Sequence, residues 1–411
     1  MKKFVLLFAA FTGIVSAVSA QTVIPKGWWR ASLQRADGNT IDFNFEVTYT
    51  GNKPTWFIRN ATERIPLTDI RWEKDTLLAA MPVFESSFRL HYEKDGTLRG
   101  FWTRGTSAND VTLPVTIVHN QAARFPQHVQ PAKHNITGRW ATTFTDKKGN
   151  SSIAVAEFVQ KGRQLTGTFL TPTGDYRFLE GVVSGDSLFM SAFDGIHAFT
   201  FIARADNNKK ISGGHVFSGP ASTETWVAEA NAKASYSDTI SAVYLRPGQD
   251  RLHFRFPDLD SNMVSISDAR FKNKVVIIQL MGSWCPNCMD ETAFLSNFYN
   301  HNKQRGIEVI ALAYEYSDDF HRSQKSLRKF QQHYNVQYPM LITGVKVSDA
   351  ARTEKTLPEI TPIRTYPTTI FIGKDGKVKK TDNGFQGPGT GAHHEEYKKN
   401  FNALIDNLLK Q

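Results

Sequence analysis

Cysteine is scarce in this chain: two residues in 411, Cys285 and Cys288. A disulfide-framed exported domain would carry several pairs at wider spacing, and closing a four-residue loop adds little stability. The pair is therefore there to react and not to brace. A zinc site would need two more ligands. No second Cys-x-x-Cys exists, and His301, His393 and His394 can only be nominated for the role. Long apolar runs are also missing beyond the first twenty residues, so no later segment reads as a membrane-spanning helix. Clustered basic residues interleaved with aromatics are missing too. The 49 Lys and Arg against 39 Asp and Glu, net +10, are spread along the chain with acids nearby. That distribution reads as a solvated surface and argues against a nucleic-acid partner, although it would suit an anionic membrane surface. Gly387-Pro388-Gly389-Thr390-Gly391 lacks the Gly-Lys-Ser/Thr ending of a phosphate loop and reads as a flexible turn into the last helix. No cofactor is implied, and nothing sets an oligomeric state.

What is present starts with a targeting segment, residues 1–20. Lys2 and Lys3 precede the apolar run Phe4 to Val18, and Val18-Ser19-Ala20 is a small-residue cleavage site before Gln21. No Cys follows it for lipidation. The mature protein is expected outside the cytoplasm, in the periplasm. From about Pro25 to Glu229 the chain alternates apolar and polar residues between turn signals such as Asp37-Gly38-Asn39 and Asp95-Gly96. It also repeats. Trp29 matches Trp140, Ile65 matches Tyr176, Asp75 matches Asp186 and Leu77 matches Leu188, with drift to Phe84/Phe193 and Gly100/Gly213. Two copies of one antiparallel all-β unit follow, 25–118 and 136–229, each barrel-like or sharing a sandwich. A linker covers 230–251.

From 252 to 411 strands and helices alternate, as in a mixed α/β domain. Val275 to Met281 is an apolar run of buried-strand type. Asp290 to Lys303 and Phe320 to Tyr334 read as helices, with Gly306 to Ala313 and Tyr338 to Ile342 as strands. Thr368 to Ile372 opens a hairpin, and Tyr397, Phe401, Leu404, Ile405, Leu408 and Leu409 share one face of a last helix. After the first buried strand the chain turns at Gly282-Ser283-Trp284, which places Cys285 at a helix start. Pro286 suits the first helical position. Free backbone N–H groups and the helix dipole there favour a Cys285 thiolate, and Cys288, one turn on, is placed to resolve a mixed disulfide.

The segment Trp284-Cys285-Pro286-Asn287-Cys288 after a hydrophobic strand, together with Tyr366-Pro367-Thr368 before Thr369 to Ile372, resembles the TlpA-like thiol–disulfide oxidoreductases of the bacterial envelope, in the thioredoxin superfamily. The likeness covers residues 252–411 only. It implies a thioredoxin-like fold, a cis-Pro367 beside the sulfurs, and Trp284 and Tyr366 facing substrate. It also implies a redox-active Cys285–Cys288 disulfide, protein thiol or disulfide substrates, and an upstream electron donor in the envelope. The buried acid of ordinary thioredoxins is replaced by Gln279. Glu291, three residues after Cys288, stands where TlpA-like reductases often carry a proton-handling Glu; its plain alternative is a first-turn acid complementing the helix dipole. The helix-kinking Pro of the family is Ala293 here.

The expected function is an exported dithiol–disulfide exchange enzyme, a reductase by resemblance. Two other readings stand beside it. One is a β-rich ligand- or partner-binding envelope protein with an auxiliary thioredoxin domain. The other is a peroxiredoxin-like thiol peroxidase, disfavoured because no Thr-rich segment precedes Cys285.

Overall fold

The computed structural model describes residues 23–67, 69–106, 109–236 and 242–411. The expected targeting segment and part of the expected linker lie outside them. Nine strands between Gly27 and His119 form one antiparallel sheet, and nine between Gly138 and Ala230 form another. Both follow up-and-down order except where the first strand pairs with the last and, in the second sheet, where Gln164–Thr171 pairs with both Gly174–Asp175 and Leu179–Ser184. The two sheets keep one register. Gly27 faces Val47 and Gly138 faces Phe158; Trp29 faces His119 and Trp140 faces Ala230, each partner 111 residues on (138−27, 158−47, 140−29, 230−119). Gly100 faces Val115 and Gly214 faces Trp226. Gly214, not the expected Gly213, is therefore the counterpart of Gly100, because a bulge between Ile211 and Gly214 adds the offset.

Between sandwich and barrel, the structure takes the barrel. In the second sheet the strand Ser151–Lys161 also pairs with Gln164–Thr171, which closes the ring. Its interior is filled by Trp140, Phe158, Phe169, Leu188, Phe201 and Trp226. The first sheet, barrel-like and called the first barrel below, packs Phe43, Phe45, Trp56, Phe88 and Trp102 inward. Alternation along Thr40–Thr50 would leave Asp42 and Asn44 in water, yet both are buried, because the second barrel lies over them. There the Ser191 hydroxyl donates to the Asp42 carbonyl, and Arg124 donates to Asn44 and Ser191.

The C-terminal part is thioredoxin-like. After a short hairpin of Arg255–Pro257 with Met263–Ser265, its main sheet holds five strands, β1 (Val275–Met281), β2 (Ile307–Ala313), β3 (Met340–Ile342), β4 (Thr368–Ile372) and β5 (Val378–Asn383), in the order β3-β2-β1-β4-β5. β1 is parallel to β2 and antiparallel to β4. All seven residues of β1 are buried because helices cover the sheet. The helices are α1 (Pro286–Asn302), α2 (Phe320–His333), α3 (Arg352–Thr356) and α4 (Ala392–Lys410). Helix α1 starts at Pro286, earlier than the apolar spacing suggested, since the proline and the Cys285 cap carry its first turn. The first barrel rests on α2: Phe84 meets Phe330 edge-on, and Glu85 accepts from Arg322 and Ser326. Among the described residues no helix is long and apolar enough to cross a membrane, and no three His, Cys, Asp or Glu are grouped to hold a metal.

Candidate redox site

Cys285 caps α1. Its backbone is extended (φ −105°, ψ 113°), and its Sγ accepts the Cys288 N–H at 3.2 Å while Pro286 fills the first helical position. The two sulfurs are joined in a disulfide, with the Cα atoms 5.2 Å apart. Cys285 keeps 5% of its surface exposed and Cys288 none. One sulfur can thus be met from outside, the other only from within. The Tyr366–Pro367 bond is cis, and the Tyr366 carbonyl lies 3.6 Å from Cys285 Sγ. Trp284 stacks on Tyr316, meets Tyr366 edge-on and donates Nε1–H to the Tyr314 carbonyl at 2.9 Å. Gly282 leaves room for that ring; a Cβ there would lie 2.2 Å from Trp284 Nε1.

Two buried carboxyls flank the cysteine loop from behind. Glu291 is 1% exposed, and its Oε1 accepts from the Thr369 hydroxyl while Oε2 has no partner. Burial lifts it from 4.5 to about 7, against the pull of Thr369 and Gln279. A first-turn acid in water would have no such shift. Gln279 donates to the Cys288 carbonyl and accepts from Thr292, so it ties α1 to the sheet. Glu315, at the end of the β2 run, accepts from the Ser283 N–H at 2.8 Å and from its hydroxyl. Burial lifts Glu315 to about 7 as well. Both carboxyls can hold a proton near neutral pH.

What stands in front of the loop comes from a distant part of the chain. The second barrel docks there through residues 173–177. Asn287, between the cysteines, matches the Asp175 backbone at both ends of its amide, at 3.0 and 3.3 Å. Gly174 (φ +133°) allows this approach, since a Cβ would overlap Asn287. Thr365 donates to the Thr173 carbonyl at 3.3 Å, and the Gly387 N–H to Asp175 Oδ2 at 3.0 Å. The turn 387–391, expected to be a flexible entry to α4, is thus pressed against the barrel, with Gly389 against the Arg177 backbone. Arg177, 5% exposed, pairs with Asp290 of α1 and with Glu63 of the first barrel, and donates to the Pro286 carbonyl at 3.2 Å. Burial would lower Arg177, but these two carboxylates raise it well above its usual range. His393 meets Glu157 through Nε2 at 2.9 Å, and His394 meets the Gln386 carbonyl through Nδ1.

A model described as the AhpC/TSA family matches residues 247–381, which hold both cysteines and Pro367. Thiol-disulfide oxidoreductase ResA of Bacillus thuringiensis subsp. konkukian is 29% identical over 152 residues, 37% of this chain and 76% of the relative. ResA of Bacillus subtilis is 29% identical over 138 residues, 33% of this chain and 67% of the relative. The C-terminal part is a thioredoxin-like thiol–disulfide oxidoreductase domain. A thiol:disulfide interchange protein of the thioredoxin family from Chlorobium tepidum overlays 40% of the chain and 99% of its own, with 18% identity and a TM-score of 0.31. The sequence match leaves the barrels uncovered; the oxidoreductase domain meets them as neighbours of its own cysteine loop.

Proposed function

We propose that this oxidoreductase is exported and reduces disulfides of envelope proteins. Cys285 is the nucleophile, Cys288 the resolving thiol, Glu291 the proton partner, and Trp284, Tyr366 and Pro367 the substrate-facing frame. In the dithiol form the Cys285 thiolate attacks one sulfur of the substrate disulfide; a mixed disulfide forms and the other substrate sulfur leaves as a thiolate that takes up a proton. Cys288 then passes its proton toward Glu291, attacks Cys285 Sγ and releases the second substrate thiol. The substrate gains two electrons and two protons, and the Cys285–Cys288 disulfide is restored. A dithiol donor in the envelope would reduce it again. The observation that carries this reading is the asymmetry of the pair: Cys285 is capped by an N–H at the helix start and touched by solvent, and Cys288 is sealed behind it. The surplus positive charge of the chain fits work near an anionic membrane surface. Residues 25–118, 136–229 and 252–411 serve as two barrel modules and one catalytic module.

Purified protein should reduce insulin with dithiothreitol. Cys285→Ser should abolish this, and Cys288→Ser should accumulate a mixed disulfide with substrate. Full activity in Cys285→Ser would sink the reading. A Cys285–Cys288 potential at or below roughly −250 mV would fit a reductase, whereas one near about −120 mV would turn the proposal toward an oxidant.

A further inference from the structure

The mouth of the second barrel opens onto Cys285. Between them lies a cavity of 820 Å³, within the size range of ligand pockets, with Cys285, Trp284 and Tyr366 on one side. Phe144, Ile153, Tyr176 and Phe199 form the facing apolar wall. The wall is fixed in place, not a lid, because the Asn287–Asp175 and Thr365–Thr173 contacts lock its lower edge to the cysteine loop. Glu63, Asp175, Asp194 and Glu224 line it, with Arg177 and His197. Arg177 pairs with Glu63 and with Asp290, and His197 faces Asp194 at 3.4 Å, which leaves Asp175 and Glu224 as the wall acids outside these pairs. Only 5% of Cys285 is exposed, at the floor of this cavity, so a disulfide lying flush in a folded surface would not reach it.

We propose that the second barrel's mouth is the specificity pocket of the exchange reaction. It receives an aromatic or branched aliphatic side chain flanking the reacting half-cystine of an extended, non-anionic peptide. This rests on the exchange reading of Cys285 and Cys288, and it adds a substrate class to it. Three substrates test it on the reduced full chain: the amidated peptide Ala-Phe-Cys-Phe-Ala as a mixed disulfide with 2-mercaptoethanol, the same peptide with Asp for both Phe, and 2-hydroxyethyl disulfide. The Phe peptide should react about ten-fold faster than the Asp peptide. Ile153→Glu, on the exposed rim, should erase most of that ratio by weakening the Phe peptide. Glu224→Lys should shrink it from the other side by speeding the Asp peptide. Equal rates for the two peptides in the unaltered protein, or a ratio unmoved by both variants, would overturn the pocket. No reaction with 2-hydroxyethyl disulfide would overturn the exchange reading itself, and the pocket with it.

Discussion

In the first barrel the segment Glu63–Leu67 is a five-residue strand paired along its length with Lys53–Asn60. Its counterpart in the second barrel, 111 residues on (174−63), keeps only Gly174–Asp175 in the sheet. Tyr176, Arg177 and Phe178 lie outside the strands, and the segment around that break meets the cysteine loop, Asp175 at Asn287 and Arg177 at Pro286. Where the first copy has Pro66, the second has Arg177 (177−66 = 111), and where the first has Arg64 the second has Asp175 (175−64 = 111). The barrels share a register because the same alternation fills both interiors. They differ where a strand was given up for contacts with α1. A repeat can thus keep its core and change its work by unzipping one short edge.

The two copies differ most in consequence at Arg177. Replacing it by Ala leaves Asp290 and Glu63 facing each other without a cation, and should cost about 3–5 kcal/mol in urea unfolding. Pro66→Ala in the first barrel should stay within about 0.5 kcal/mol. Comparable losses at the two positions would show that the second copy is not specialised. A smaller effect lies in pH. Burial raises Asp175 from 3.8 to about 6 and Glu291 from 4.5 to about 7, so the fold favours their protonated forms. Their contribution is complete below the ordinary carboxyl range and fades as pH climbs through 6 and 7. Stability should therefore fall by the order of 1–3 kcal/mol per group between about pH 5 and 8. Asp175→Asn and Glu291→Gln should each flatten that slope; a slope unchanged in both would contradict the assignment. The first barrel's own dock is the mildest case. Glu85, half-buried against Arg322 and Ser326, should cost about 1 kcal/mol as Ala, with exchange at Cys285 left intact. A large drop in insulin reduction by Glu85→Ala would mean that this barrel, too, reaches the chemistry.

Much of the C-terminal domain was legible because its signals are local. A proline after Cys285 and an apolar strand before it set the helix start, and Thr368 to Ile372 was placed to the residue. The repeat was legible because strand alternation and turn glycines recur. What stayed hidden depends on docking between distant segments. Asp290 reads as an ordinary first-turn acid until Arg177, 113 positions earlier, is laid on it. Glu291 reads either as a proton partner or as a first-turn acid, and its burial beneath Thr369 is visible only in the fold. One signal went unused: at the positions of Arg64 and Pro66 the second copy carries Asp175 and Arg177, a reversed charge and a new cation.

The placement of Arg177 has a further consequence for how the molecule comes apart. One guanidinium touches a carboxylate of the first barrel, belongs to the second, and holds a carboxylate and a carbonyl of the catalytic helix. None of the three parts can loosen without exposing a charge that another part was neutralising. The chain should therefore behave as one cooperative unit in which the reactive cysteine is never offered without the wall that screens what reaches it.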